Sequence, residues 1–318
     1  MKILVTSNLT EEILAPLRSA HEVVVNRNDF PLPRSEIIEK IRDKDGLLCS
    51  IVDRIDEELM SNAPNLKMIA NIGVGYDNIK VPAASAREIK VSNTPGVLTD
   101  ATADLAFALI LSVARRLVEG DGRTRANKWG PWAPFVFLGT QVTGKTLGII
   151  GLGQIGKAVA SRAKGFRMPI LYHNRNRIPE NEELELGAKY VDLETLLRES
   201  DFVSLHVSLN DQSRSLIGTN EFELMKSSAF IINVARGPVI DENALVKALK
   251  EKKIAGAGLD VYEKEPQLAP GLAQLENTVL SPHMGSATVE TRIAMAQLAV
   301  ENLLAGLSGQ RPPNCLNC

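Results

Sequence analysis

Residues 146–165 read TLGIIGLGQIGKAVASRAKG. An apolar run, TLGII, meets three glycines at the spacing G-x-G-x-x-G (Gly151, Gly153, Gly156) and then a helix-like stretch, KAVASRAKG. The glycine spacing alone is weak, because tight turns produce it often. Between a strand and a helix it has the context that a dinucleotide-binding βα unit requires. Gly151 permits the tight turn, Gly153 lets backbone N–H groups approach a pyrophosphate, and Gly156 lets helix and strand pack closely. The helix N-terminus adds partial positive charge where phosphates would sit.

Downstream, strand candidates at Pro169–Tyr172, Phe202–Leu205, Ala229–Val234, Gly256–Val261 and Thr278–Leu280 alternate with helix candidates at Leu193–Glu199, Glu221–Met225 and Glu242–Glu251. With Thr146–Ile150 these are six strand units, enough for a dinucleotide-binding sheet. The first hundred residues alternate independently, with short Val/Ile/Leu runs at Lys2–Thr6, Glu22–Val25, Gly46–Cys49 and Lys67–Ala70. The fold class is therefore α/β, with doubly wound parallel sheets; 318 residues suit two domains of ordinary size, though one large domain is possible. Between them, Thr99 and Asp100 offer N-cap oxygens to an apolar helix, ATADLAFALILSVARRL, and residues 119–141 read as irregular. A last amphipathic helix spans 288–305.

The second strand of the dinucleotide unit ends in ILYHNRNR (170–177). An NAD site usually places Asp or Glu there to hold the ribose 2′-hydroxyl. No acid stands between Gly156 and Pro179. Arg175 can instead meet a 2′-phosphate with a charge-assisted fork, Asn174 and Asn176 can supply neutral hydrogen bonds, and Arg177 is a second candidate cation. The bland alternative is a solvated loop face. The phosphate reading predicts NADPH in preference to NADH, with NADH still possible.

Three further strand ends carry polar groups. AFIINVA leads to Arg236, AGAGLDVY to Glu263 and Glu265, and NTVLSP to His283. In open α/β sheets, chemistry collects beyond the carboxyl ends of strands. Arg236 can fork to the oxygens of a 2-oxo acid, and His283 can donate a proton as hydride reaches carbon. Glu265 can orient the imidazole and favour its charged form. Each residue alone also fits a salt bridge, a surface charge or a structural histidine. Together, downstream of a dinucleotide loop, they form a candidate hydride-transfer site.

NIGVGYDNI (71–79), GIIGLGQIG (148–156), INVARGPVIDENAL (232–245), AGAGLDVYEKEP (255–266) and SPHMGSAT (281–288) resemble, in that order, the D-isomer-specific 2-hydroxyacid dehydrogenases. NTPGVLTDATADLAFALIL (93–111) and the ribose-position arginine are most similar to glyoxylate/hydroxypyruvate reductases. The resemblance implies two Rossmann- or flavodoxin-like domains around a cleft. A substrate-binding domain is expected at 1–98 plus 285–318 and a dinucleotide-binding domain at 99–284. It implies that Arg236 binds the substrate carboxylate and keto oxygen, and that Glu265 pairs with His283, the acid/base. Asp260 and the Val234 backbone would hold the nicotinamide carboxamide, and backbone around Val74 and Gly75 the substrate carboxylate. Thr102, Gln154, Ile155, Val207 and Gly285 would lie at further cofactor positions. It also implies a homodimer built near residues 100–140. One departure is His206-Val-Ser208-Leu209, where the family commonly has His-x-Pro-Leu.

Composition narrows the alternatives. Of 318 residues, 44% are hydrophobic and 23% charged, which supports a packed core, and a net charge of −2 gives no global attraction to nucleic acid or anionic membrane. The longest apolar block, Leu105–Ala114, is about half a bilayer span. Three cysteines (Cys49, Cys315, Cys318) and no disulfide framework suit the cytoplasm, and the terminal C-x-x-C reads as incidental. Four scattered histidines argue against a metal cluster. The rival readings are sibling enzymes (2-ketogluconate reductase, phosphoglycerate or phosphite dehydrogenase) and a nucleotide-sensing corepressor. Formate dehydrogenases carry Gln where Glu265 stands.

Overall fold

The computed structural model describes residues 1–318. The chain opens with β1 (Lys2–Val5), α1 (Glu11–Arg18), β2 (Glu22–Val25), α2 (Arg34–Ile41), β3 (Gly46–Ser50), α3 (Glu57–Ser61), β4 (Met68–Ile72), α4 (Val81–Ser85) and β5 (Lys90–Ser92). Next come α5 (Thr99–Ala114), α6 (Leu117–Arg125), β6 (Leu147–Ile150), α7 (Gln154–Gly165), β7 (Ile170–His173), α8 (Glu180–Leu186) and β8 (Ala188–Tyr190). They are followed by α9 (Leu193–Glu199), β9 (Phe202–Leu205), α10 (Thr219–Leu224), β10 (Phe230–Asn233), α11 (Glu242–Lys250), β11 (Gly256–Leu259), β12 (Thr278–Leu280) and α12 (Val289–Leu307). Two units result, Met1–Leu98 with Ser286–Cys318, and Thr99–Gly285. Gly285 falls with the second unit, to which its N–H is tied by the Asp260 carboxylate at 2.8 Å.

The first unit is a five-stranded sheet in the order β2-β1-β3-β4-β5, parallel throughout. Fully buried Leu4, Leu47 and Ile69 centre one core. α12 returns to this unit and sets Leu303 and Leu307 against Gly46 of β3. The final residues then run along the outer edge of β5. Leu316 N–H donates to Val91 O at 2.8 Å, and Val91 N–H donates to the Asn317 side chain at 2.8 Å. β5 is missing from the sequence reading because KVS is short and half polar. The terminal cysteines are not incidental here: Cys315 and Cys318 form a disulfide. A turn in which Cys315 N–H donates to Pro312 O precedes the pair, whose Cα atoms stand 5.9 Å apart, within a disulfide's span.

The second unit is a seven-stranded parallel sheet, β12-β11-β10-β9-β6-β7-β8. The order reverses at β6, between β7 and β9, which is the crevice where doubly wound sheets take a ligand. β8 is a seventh strand, hidden in the sequence as AKY. α5 buries Ala106, Leu109, Ile110 and Val113, as its apolar circumference demands. Thr99 and Asp100 lie inside its first turn and are not its caps. Asp100 and Asp104 pair with Arg162 of α7 at 3.0 and 2.7 Å. The segment expected to be irregular begins with α6, held by the i,i+4 pairs Glu119–Arg123 and Asp121–Arg125. No helix is long and apolar enough to cross a membrane.

Gly151 closes β6 with φ +98°, and a Cβ there would stand 2.7 Å from the His206 carbonyl carbon. Gly151→Ala combines a left-handed strain with a backbone clash and should cost about 1–3 kcal/mol. Urea unfolding of the variant against the parent checks this, and the midpoint should fall with the slope unchanged.

Candidate active site

Three strand ends of the second unit bring Arg236, Glu265 and His283 to one edge. Arg236 follows β10. Its segment is pinned by Asn233, the buried last residue of that strand, whose side chain donates to Arg236 O at 2.9 Å and accepts from Ala235 N–H at 3.0 Å. Gly237 then presses on the next strand's exit: a Cβ there would stand 1.9 Å from the Tyr262 carbonyl carbon. Only glycine allows that approach, and it fixes the arginine beside the 262–265 loop. Within that loop, Tyr262 N–H donates to Glu265 Oε1 at 3.0 Å. Buried Glu242, at the start of α11, accepts from Glu263 N–H at 2.8 Å.

His283 Nδ1 and Glu265 Oε2 are 2.7 Å apart. Burial pushes the Glu265 carboxyl up. The hydrogen bond and charge of His283, then the Tyr262 N–H and the charge of Arg236, outweigh burial and hold it below its ordinary value. Because Nδ1 is taken by Glu265, Nε2 is the ring atom left to face a reacting oxygen. His283 has φ +50°, a left-handed conformation that a non-glycine residue keeps only when its surroundings impose it. Asp260 imposes it. Its carbonyl accepts from His283 N–H, and its carboxylate accepts from Ser281 Oγ (2.7 Å), Met284 N–H (2.8 Å) and Gly285 N–H (2.8 Å).

The glycine loop fits a dinucleotide. A side chain at Gly153 would stand in open space, so the approach to the N-terminus of α7 is clear, and Gln154 and Ile155 form the first helical residues. Val207 lies against Gly151 on the neighbouring strand exit. At the end of β7 no carboxylate stands. Arg175 is exposed and donates from Nη1 to Gln212 Oε1 at 3.1 Å. Asn174 accepts from Leu152 N–H at 2.6 Å, so its side-chain oxygen braces the glycine loop. Asn176 is exposed. Arg177 is engaged elsewhere: it forks to buried Glu183 at 2.7 and 2.6 Å, and the Tyr172 hydroxyl bonds the same carboxylate.

A sequence model of the D-isomer specific 2-hydroxyacid dehydrogenase NAD binding domain matches residues 107–285. The glyoxylate reductase of Thermococcus litoralis is 52% identical over 320 residues, covering 99% of this chain and 96% of that one. The chain belongs to the D-isomer-specific 2-hydroxyacid dehydrogenase family. Among solved structures, a protein from Thermus thermophilus superposes with a TM-score of 0.92 at 45% identity, covering 99% of this chain and all of that one. An NADPH-dependent glyoxylate/hydroxypyruvate reductase from Sinorhizobium meliloti, solved with NADP and malonate, gives 0.87 at 34% identity, with 99% and 96% covered. The protein is thus an NAD(P)-dependent oxidoreductase of this dehydrogenase family.

Within the dehydrogenase, Thr102 of α5 and Gly285 are neighbours: a Cβ on Gly285 would meet Thr102 Cγ2 at 3.4 Å and Asp260 Oδ2 at 3.2 Å. Val234 is buried at the exit of β10. In the first unit, Val74 and Gly75 follow β4 and are half-buried. The sequence reading does not find Asn233, Gln212 or Glu242, nor the part Asp260 plays in shaping the His283 loop. Only the run of residues between two strand ends hints at them, and side-chain to backbone bonds leave no spacing signature.

Arg177 and then Tyr172 hold the Glu183 carboxyl down at about 2, against an ordinary 4.5. Burial first, and then Glu183, push the Tyr172 hydroxyl up to about 12. A depressed carboxyl stabilises the fold above its unfolded pKa and loses that contribution as pH falls through its folded one. Glu183→Gln should therefore lower the melting temperature at pH 7. The difference from the parent should shrink between pH 4.5 and 2, as thermal melts across that range will test.

Proposed function

We propose that this dehydrogenase reduces a small 2-oxo acid, glyoxylate or hydroxypyruvate, to the D-2-hydroxy acid with NADPH. The observation that carries the reading is the His283–Glu265 pair beside Arg236 at the sheet edge. The similarity to enzymes named glyoxylate reductase supports the substrate class. The absence of an acid at the end of β7, with exposed Arg175 in its place, supports NADPH. A bound nicotinamide supplies the hydride. Arg236 forks to carboxylate and keto oxygen, polarising the carbonyl. His283 delivers its Nε2 proton to the oxygen, while Glu265 keeps the Nδ1–H and stabilises the cationic ring before transfer. In this reading Thr99–Gly285 holds the dinucleotide, with Asp260 and Val234 toward the nicotinamide and Thr102, Val207 and Gly285 lining its path. The other unit holds the substrate acid at Val74 and Gly75.

We further propose that the protein is a homodimer; the Cys315–Cys318 disulfide takes away the cysteine argument for the cytoplasm. Leu117, Val118, Trp129, Trp132, Phe135, Val136 and Leu138 are 57–87% exposed, a concentration of large apolar side chains that a subunit contact would cover. Beside it, a groove of about 570 Å³ runs between the end of α5 and β12, lined by Val113, Leu138, Phe230 and Val279.

Purified protein assayed with NADPH and NADH against glyoxylate, hydroxypyruvate, 2-ketogluconate and pyruvate tests the reading. Turnover should favour NADPH with the first two, and silence toward all four would refute it. His283→Ala should lower kcat by about 10²–10⁴-fold while NADPH still binds, a result that also separates an enzyme from a nucleotide-sensing binding protein. Arg175→Asp should weaken NADPH at least about tenfold more than NADH. Equal losses for both cofactors would remove the phosphate reading.

A further inference from the structure

The loop after β4 presents an unusual arrangement of peptide groups. Val74, Gly75 and Tyr76 N–H donate to no acceptor within their unit. The carbonyls of the same stretch, by contrast, are tied inward. Asn93 Nδ2 donates to Val74 O at 2.8 Å, and Asn71 Nδ2 donates to Gly75 O at 2.8 Å. In a trans peptide the C=O and the following N–H point in opposite directions. Holding Val74 O inward therefore turns Gly75 N–H outward, and holding Gly75 O inward turns Tyr76 N–H outward. Two adjacent backbone donors, each turned away from the side chain that holds its peptide carbonyl, offer a nest suited to an anion.

The two asparagines are themselves locked. Asn71 is fully buried, and its Oδ1 accepts from Asn78 Nδ2 at 3.3 Å and faces the Cys49 thiol at 3.6 Å. That demand fixes which end of the amide faces Gly75. Asn93 O accepts from Asn302 Nδ2 of α12 at 3.2 Å, and Asn93 N–H donates to Asn314 O at 3.4 Å. Asn302 is fully buried and also bonds Asn314 in both directions, at 3.1 and 2.9 Å.

We infer that Asn93 and Asn71 are positioning residues for the substrate. By fixing two carbonyls they hold the Gly75 and Tyr76 N–H groups as a preset donor pair for a carboxylate, and the α12–tail network through Asn302 and Asn314 holds Asn93. The inference rests on the 2-oxo acid reading, and it adds the residues that set the loop. Neither asparagine touches the reacting atoms, so their loss should act on substrate binding and spare the chemical step.

The test uses the full-length protein and three variants. Asn93→Ala removes the donor to Val74 O. Asn93→Asp keeps the side chain's shape and removes the same donor. Asn71→Asp keeps the acceptor for Asn78 and loses the donor to Gly75 O. Each should raise KM for glyoxylate about tenfold or more, with kcat within about threefold and NADPH affinity unchanged. Hydrogen exchange of the peptide covering residues 73–77 should quicken in each. If the parent turns over glyoxylate and the folded variants keep its KM, the positioning role is wrong while the reductase reading stands. If kcat and NADPH affinity fall together with KM, the asparagines are merely structural and the inference fails. A parent silent toward every 2-oxo acid refutes the reductase reading, and hydrogen exchange then decides the loop's role alone: unchanged exchange overturns it. Should Asn93→Ala not fold, the two Asp variants carry the same outcomes.

Discussion

Parallel pairing constrains everything else in this molecule. A parallel strand must be entered from the same end as its neighbour, so each connection crosses the whole sheet and is usually helical. All carboxyl ends then lie on one edge, where loops free of ladder bonds can present backbone N–H groups and side chains side by side. In the second unit the glycine loop, Arg175, Arg236, Glu265 and His283 all sit on such exits. In the first, the 73–76 loop does the same after β4. These exits place polar side chains from separate strands, and the unbonded N–H groups of the 74–76 stretch, at the carboxyl edges of the sheets.

The site is held by bonds between side chains and backbone more than by bonds among the reactive groups. Asp260 accepts four hydrogen bonds from the 281–285 loop, three at its carboxylate and one at its carbonyl, and thereby holds His283 in a left-handed conformation. Asn233 and Gly237 set Arg236, and Glu242 sets the loop that carries Glu265. The His283 and Glu265 side chains remain partly open, while their supports are buried. Such a division keeps geometry rigid and access free.

How much of this the amino-acid order reveals follows from the range of each signal. α7 is legible at Gln154–Gly165 because its ends carry local signals, the glycine loop before it and Gly165 after. β5 and β8 escape because KVS and AKY are three residues each and mix apolar with polar positions. α6 escapes because Gly120 and Gly122 read as a break, whereas ion pairs across one turn sustain the helix. Arg236, Glu265 and His283 are legible because each ends a recognisable strand. Arg177 reads as a second candidate cation, whereas in the structure it forks to Glu183, in a helix six residues on, and nothing in the spacing tells that fork from a fork to phosphate. Cys315 and Cys318 read wrongly as incidental because their pairing depends on a turn after Pro312.

The return of α12 to the N-terminal sheet bears on the order of events during synthesis. The unit made of Thr99–Gly285 is continuous and can complete itself as it leaves the ribosome. The first five strands cannot, since the helix that covers β3 and β4 and the tail that seals β5 are made last. At about 5–20 residues per second, the opening strands wait on the order of ten to forty seconds for their cover. Through that interval the apolar face of a half-built sheet stands open to chaperones and to other nascent chains, so the discontinuous unit, though smaller, is the one whose biogenesis is most exposed to the cell.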